Sequence, residues 1–159
     1  MAVFRIWRLA IATTLSKSYA VAGELLLDTG GLVGLLDRSQ SVHRACAESY
    51  ATWEGVVVTT EAVLTESTHL LSGIPRGSVA CLDFVLRSGV VVVPLSIPSL
   101  RRCRQLLEKY SDLPMDFADS TLVVLAEELD TNLVFTVDRD FQVYRIRGRK
   151  AFRVLPEIE

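Results

Sequence analysis

An α/β fold is predicted: a three-layer α/β/α sandwich whose central sheet is mostly parallel and has about five strands. Three observations predict it. Short runs rich in leucine and valine recur at residues 24–28, 56–58, 90–93, 133–135 and 152–155. Helix-like segments separate them, as crossovers between parallel strands require. Acidic residues stand at strand ends and helix starts: Asp28 and Asp138 after strands, Asp116 and Asp119 at the start of a helix. In such sheets strand ends and helix starts converge on one rim, where ligands bind.

The totals fit one ordinary domain. The chain has 159 residues, 50% hydrophobic and 23% charged, which suits a real core. Net charge is −2, so a nucleic-acid partner needs a local basic patch. Cys46, Cys81 and Cys103 are far apart and odd in number, which disfavours a disulfide framework or zinc site and suits buried thiols in a reducing compartment. His43 and His69 are the only histidines, leaving oxygen ligands and a hard metal as the open metal chemistry.

In chain order, residues 1–23 are mildly apolar, with Arg5, Arg8 and Lys17, and Ala20-Val-Ala22 has the look of a small-residue cleavage site. Thr13 and Thr14 interrupt a run too short for a secretory signal or a membrane span. The segment is expected to be an extension, flexible or from an upstream start-site assignment, with the domain at 24–159. Residues 24–28 make a buried first strand, Thr29-Gly30-Gly31 a turn, and residues 32–36 begin a helix. A second helix covers 41–53, with Trp53 as core packing, and 56–58 is the second strand. Thr59-Thr60 cap a helix over 61–71. Pro75 suits the first turn of a helix near 76–87, and Pro98 that of one reaching 110. Residues 117–129 form the next helix, followed by a strand at 133–135, a helical turn after Asp140 and a last strand at 152–155.

Each acid has an ordinary reading. Asp28 is a natural N-cap, yet it also stands at a strand's carboxyl end. Glu66 shares a helical face with Ala62 and Leu70, an apolar setting in which a charge needs a partner. Asp116 and Asp119 lie three apart at a helix start, where one caps and the other suits the helix dipole. Asp119 is preferred as a ligand and Asp116 as an accessory. Asp138 follows the fourth strand, with Asp140 two residues on. Glu127 and Glu128 read as a solvated helix end, and Asp83, Asp112 and Asp130 as surface or capping residues. Carboxylates gathered at one rim call for a cation. No phosphate-binding glycine loop, dinucleotide fingerprint or serine nucleophile elbow competes.

The residues Leu26-Leu-Asp28-Thr-Gly-Gly-Leu, Thr59-Thr-Glu-Ala-Val-Leu-Thr-Glu66, Asp116-Phe-Ala-Asp119-Ser and Thr136-Val-Asp138-Arg-Asp140-Phe141 occur in that order. Together they resemble the PIN-domain ribonucleases, and within them the VapC-type toxins of bacterial toxin–antitoxin pairs. The resemblance covers residues 24–156. It implies that Asp28, Glu66, Asp119 and Asp138 are an acidic catalytic quartet binding Mg2+ or Mn2+, with Thr136 as a supporting hydroxyl. Asp116 and Asp140 are accessory. It also implies metal-dependent cleavage of RNA in the cytoplasm, a homodimer and a small antitoxin partner, with no membrane association. Arg145, Arg147, Arg149 and Lys150, and separately Arg101, Arg102 and Arg104, are the basic runs that could meet phosphates or the antitoxin. The rivals are a stand-alone PIN nuclease, a phosphatase-like acidic-site domain and a non-catalytic binding module. The phosphatase lacks a D-x-D after the first strand and a lysine at a strand end.

Overall fold

The computed structural model describes residues 23–157. Except for Gly23, the expected extension lies outside them. The elements are β1 (Glu24–Leu27), α1 (Thr29–Leu36), α2 (His43–Ala51), β2 (Val56–Thr60), α3 (Glu61–Leu70), a 3-10 turn (Leu71–Gly73), α4 (Gly77–Ser88) and β3 (Val91–Val93). They continue with α5 (Ile97–Lys109), α6 (Phe117–Leu129), β4 (Leu133–Phe135), a 3-10 turn (Arg139–Gln142), β5 (Arg145–Ile146), β6 (Lys150–Ala151) and β7 (Arg153–Leu155).

The main sheet has five strands in the order β3-β2-β1-β4-β7. Every pairing is parallel, and Leu26 of the central strand faces Val58 on one side and Val134 on the other. From β1 the chain first builds outward through β2 and β3. It then returns to lay β4 and β7 against the opposite edge of β1. The crevice outside the carboxyl ends of β1 and β4 is therefore the topological switch point, where open α/β sheets bind ligands.

Alternation along the strands divides the core into two layers. Leu26, Val58 and Val134 pack with Cys103 and Leu106 of α5 and with α6. Leu25, Leu27 and Val57 face the other way, onto Leu32 of α1, Cys46 of α2 and Cys81 and Val85 of α4. Residues Ala118 to Ala126 of α6 are all buried, which makes it the most enclosed helix of the described residues. Truncating a fully buried leucine such as Leu26 in such a core costs roughly 2–5 kcal/mol. The three cysteines are buried and free, as their spacing predicted.

Four local expectations need correction. Helix α1 starts at Thr29, so Gly30 and Gly31 are its first turn and not a turn before it. Gly31 is required there, because a Cβ would come 2.4 Å from the Phe135 carbonyl oxygen. Helix α4 starts at Gly77 after Arg76, whose φ is 61°, so Pro75 precedes the helix and is not in its first turn. The basic run of Arg145, Arg147, Arg149 and Lys150 stays largely exposed, but it lies on a short antiparallel pair, β5–β6, that the sequence did not suggest. Glu127 and Glu128 are not a solvated end. Glu127 takes hydrogen bonds at 2.9 Å from Arg102 Nε and Nη2 and from the Arg147 amide. Glu128 accepts the Ser99 hydroxyl at 2.7 Å.

Candidate active site

The switch point is built from strand ends. After β1, Asp28 stays extended (φ −90°, ψ 164°) and caps α1, accepting from the Gly30 amide at 3.2 Å. Thr136, one residue beyond β4, is fully buried. Its hydroxyl donates to Asp28 Oδ2 at 2.5 Å and accepts the Asp138 amide at 2.9 Å. One hydroxyl therefore ties the acid after β1 to the acid after β4. Asp138 in turn caps the following turn, its Oδ1 accepting from the Asp140 amide at 2.9 Å.

Two helices bring the other acids. Glu66, in the second turn of α3, has Oε2 held by the Thr29 hydroxyl at 2.8 Å. Asp116 and Asp119 form a reciprocal capping box at the start of α6, with amide-to-carboxylate distances of 2.9 and 3.2 Å. The ordinary capping role is thus real for both. Capping does not require burial, however, and Asp119 is only 7% exposed. It also receives the Tyr144 hydroxyl at 3.3 Å on Oδ2.

Asp28, Glu66, Asp116, Asp119, Asp138 and Asp140 line one cleft of about 530 Å³. Residues separated by up to 112 positions in the chain meet there, and Thr136 sits behind Asp28. Every ion pair of the described residues lies elsewhere, so among them no lysine or arginine neutralises these acids. Burial pushes the Asp28 carboxyl up to about 6, against the lowering effect of its Thr136 bond. Burial and the neighbouring Asp116 and Asp28 charges push Asp119 to about 8. Glu66 is raised by burial first, while the Thr29 hydroxyl opposes and Asp116 adds to the rise. Asp140 is raised by burial and then by Asp138.

An oxygen-only donor set, crowded and without a counter-cation, fits a hard divalent ion by its chemistry. It is not a closed cage. Among the described residues, no three acid, imidazole or thiol side chains already stand close enough to hold one ion. The acids ring the cleft, and a cation would have to draw them inward against their mutual repulsion.

Two supporting groups escaped sequence reasoning. Thr29 reaches across to Glu66 from a position that reads as turn. Tyr144 is fully buried between Tyr110 and Phe141, ring centroids 5.2 and 5.4 Å away, with its hydroxyl on Asp119. The setting of Glu66 also differs from expectation. Leu70 is 56% exposed and lines the cleft, so the face they share is the cleft rim and not the core.

Four residues of the basic runs are occupied. Arg102 pairs with Glu127, Arg104 with Glu108, and Arg147 with Asp130. Arg145 Nη1 donates to three backbone carbonyls of residues 142–144.

The fold and the cleft define an α/β/α sandwich of the acidic switch-point class. Within that class a family model described as PIN domain matches residues 25–146. The chain belongs to the PIN domain family. It is 24% identical over 136 residues to "Ribonuclease VapC26" of Mycobacterium tuberculosis, covering 83% of this chain and all of that one. Among solved structures it resembles M. tuberculosis VapC20, described as a Sarcin-Ricin loop cleaving toxin. That match has a TM-score of 0.70 and 21% identity, over 75% of this chain and 93% of the other. VapBC2 from Rickettsia felis, bound to a DNA fragment from its promoter, matches with a TM-score of 0.58 at 18% identity, over 82% and 98% of the two chains.

Proposed function

We propose that this protein is a metal-dependent endoribonuclease that hydrolyses RNA phosphodiester bonds as the toxin of a toxin–antitoxin module. The carrying observation is the convergence of Asp28, Glu66, Asp119 and Asp138 on one cleft in which, among the described residues, no cationic side chain balances them. Family membership and the names of its relatives, a ribonuclease and a loop-cleaving toxin, support the reaction class.

In this reading Asp28, Asp119 and Asp138 hold Mg2+ or Mn2+, with Glu66 completing the set. Such a cation, when bound, neutralises charge on the reacting phosphodiester and acidifies water. The chain's own groups do the rest. Thr136 fixes the orientation of Asp28 and of the Asp138 backbone. Thr29 holds Glu66 Oε2, and the raised affinity of Glu66 for protons suits it to take one from an attacking water. Tyr144 holds Asp119 from the core side. Asp116 and Asp140 act as accessories at the rim.

The partners of this reading are RNA, a second copy of the chain and a small antitoxin. The solved VapBC relatives are toxin–antitoxin assemblies, which supports the last of these. Three free buried thiols suit the reducing cytoplasm. Among the described residues no helix is long and apolar enough to cross a membrane.

The test is RNA cleavage by the purified full chain. A chelator should stop it, and Mg2+ or Mn2+ should restore it. Cleavage that proceeds unchanged in excess chelator would refute the metal-dependent reading.

A further inference from the structure

The acidic cleft opens into a second one, of about 480 Å³, with which it shares Val42, Val137 and Asp138. Past Asp138 the lining is no longer acidic alone: Arg139, Gln142 and Arg153 line it, with Glu157 as a further acid, so two arginines stand against two acids. We propose that this second cleft carries the backbone of a single-stranded RNA away from the acidic cleft, with Arg139 and Arg153 contacting its phosphates. The inference rests on the nuclease reading for its choice of strand.

Three observations carry it. First, Arg139 and Arg153 are exposed, and among the described residues neither has an ion-pair partner. A guanidinium left free beside an acidic site is available to an anion, and its planar fork suits phosphate. Arg102, Arg104, Arg145 and Arg147, which looked the better candidates in sequence, are already engaged.

Second, the two arginines sit on separate, well-anchored elements. Arg139 opens the turn after β4 beside Asp138, and Arg153 opens β7, in register with Leu133 of β4. They therefore flank a track that descends from the carboxyl rim along the outermost strand on that side of the sheet.

Third, a phosphodiester chain must satisfy two surfaces at once. Its reacting phosphate lies among acids, which tolerate it only with a cation present. Its flanking phosphates need fixed positive charge close by. The second cleft supplies that fixed positive charge in Arg139 and Arg153, beside the acids of the first. Each cleft has the volume of a small-ligand site, which suits one nucleotide at a time and so a single strand. Glu157 lies in the same cleft and would repel an approaching phosphate, so the two arginines must outweigh it.

The experiment measures binding of a short labelled single-stranded RNA to the full chain by fluorescence anisotropy. Ca2+ replaces Mg2+, and salt is varied. Arg139→Ala with Arg153→Ala should weaken binding at least 10-fold. It should also reduce the slope of log affinity against log salt by about 1.4, or ~0.7 per arginine. The milder single changes Arg139→Gln and Arg153→Gln should each reduce the slope by about half as much, ~0.7, whereas Arg139→Lys and Arg153→Lys should keep most of the wild-type slope. Arg101→Ala, exposed on α5, serves as the control for general charge loss.

Unchanged affinity and slope in the double variant would overturn the inference, as would a loss equalled by Arg101→Ala. Equal competition by an acidic peptide would overturn it too, in favour of a protein occupant. Cleavage in Mg2+ is scored separately. A wild-type chain that binds through these arginines but never cuts keeps the track and sinks the nuclease reading. One that cuts without using them does the reverse.

Discussion

Helix α6 carries a pair of acids at each end, and Asp119 of one pair and Glu127 of the other live in opposite electrostatic worlds. Asp116 and Asp119 stand at the amino end, where the helix dipole favours negative charge. Glu127 and Glu128 stand near the carboxyl end, where it does not. Yet the disfavoured end holds the neutralised acid. Glu127, with its side chain 12% exposed, is clamped by Arg102, and that bond, the Arg147 amide and the charges of both arginines keep its carboxyl below the usual range against the cost of burial. The favoured end holds Asp119, equally enclosed but with no cation and a carboxyl pushed to about 8. Glu127 finds a guanidinium, whereas Asp119 has none among the described residues.

Exchanging the charge at the amino end should have the largest effect. Asp119→Asn, and equally Asp28→Asn, should lower RNA cleavage at least ~100-fold, while the amide still caps its helix. At about pH 8 without metal, Asp119→Asn should also melt higher than wild type, because a buried like-charge contact is gone. A variant with full cleavage would break the contrast between the two ends.

Next comes Thr136→Val, which removes the hydroxyl shared by Asp28 and Asp138. Cation affinity, read by titration calorimetry, should fall by roughly 10–100-fold, the range for groups that orient ligands. Stability should also fall, since the Asp138 amide loses its acceptor.

The third concerns pH. Asp28 and Asp119 both have folded values above the ordinary 3.8, at about 6 and about 8. The folded state therefore binds protons more tightly than the unfolded chain. Their contribution is fully favourable below about pH 4 and is lost as pH rises through 6 and then 8. In chelator the melting temperature should fall by several degrees between about pH 5 and pH 8. Saturating Mg2+ should flatten that fall, since a cation replaces the protons, and a curve unaffected by Mg2+ would argue against cation binding here.

The smallest effect belongs to the carboxyl end. Arg102→Ala strips Glu127 of its partner. Because Arg102 is 36% exposed, the cost is discounted to about 1–2 kcal/mol, or a few degrees of melting temperature. Cleavage at saturating metal should not change. A loss of cleavage comparable to that of Asp119→Asn would mean the two ends are not separate.

The same contrast explains what was legible in the chain before folding. The strands, their parallel pairing and the rim acids follow from local signals: apolar runs, helical spacing, and acids at element boundaries. Asp28, Glu66, Asp116, Asp119, Asp138 and Asp140 do line one cleft, and Thr136 backs it. The status of Glu127 was invisible because its partners lie 20 and 25 residues away, on elements whose approach only the fold decides. Tyr144 looked like one more core aromatic, since nothing local marks a phenol aimed at a carboxylate 25 positions earlier. Strands β5 and β6, with two residues each, are too short to leave a pattern. The start of α1 was misplaced because two glycines signal a turn, whereas here Asp28 caps a helix through them.

Gly31 sets the gauge of the whole notch. Its α-carbon rides so close to the Phe135 carbonyl that a single added methyl would have to lever the first helix away from the strand beneath it. The spacing between that helix and β4 is thus measured by an atom that is missing. The nearest obstacle is backbone, which no side-chain rotation relieves, so the seat of Asp28 at the head of the helix is held against β4.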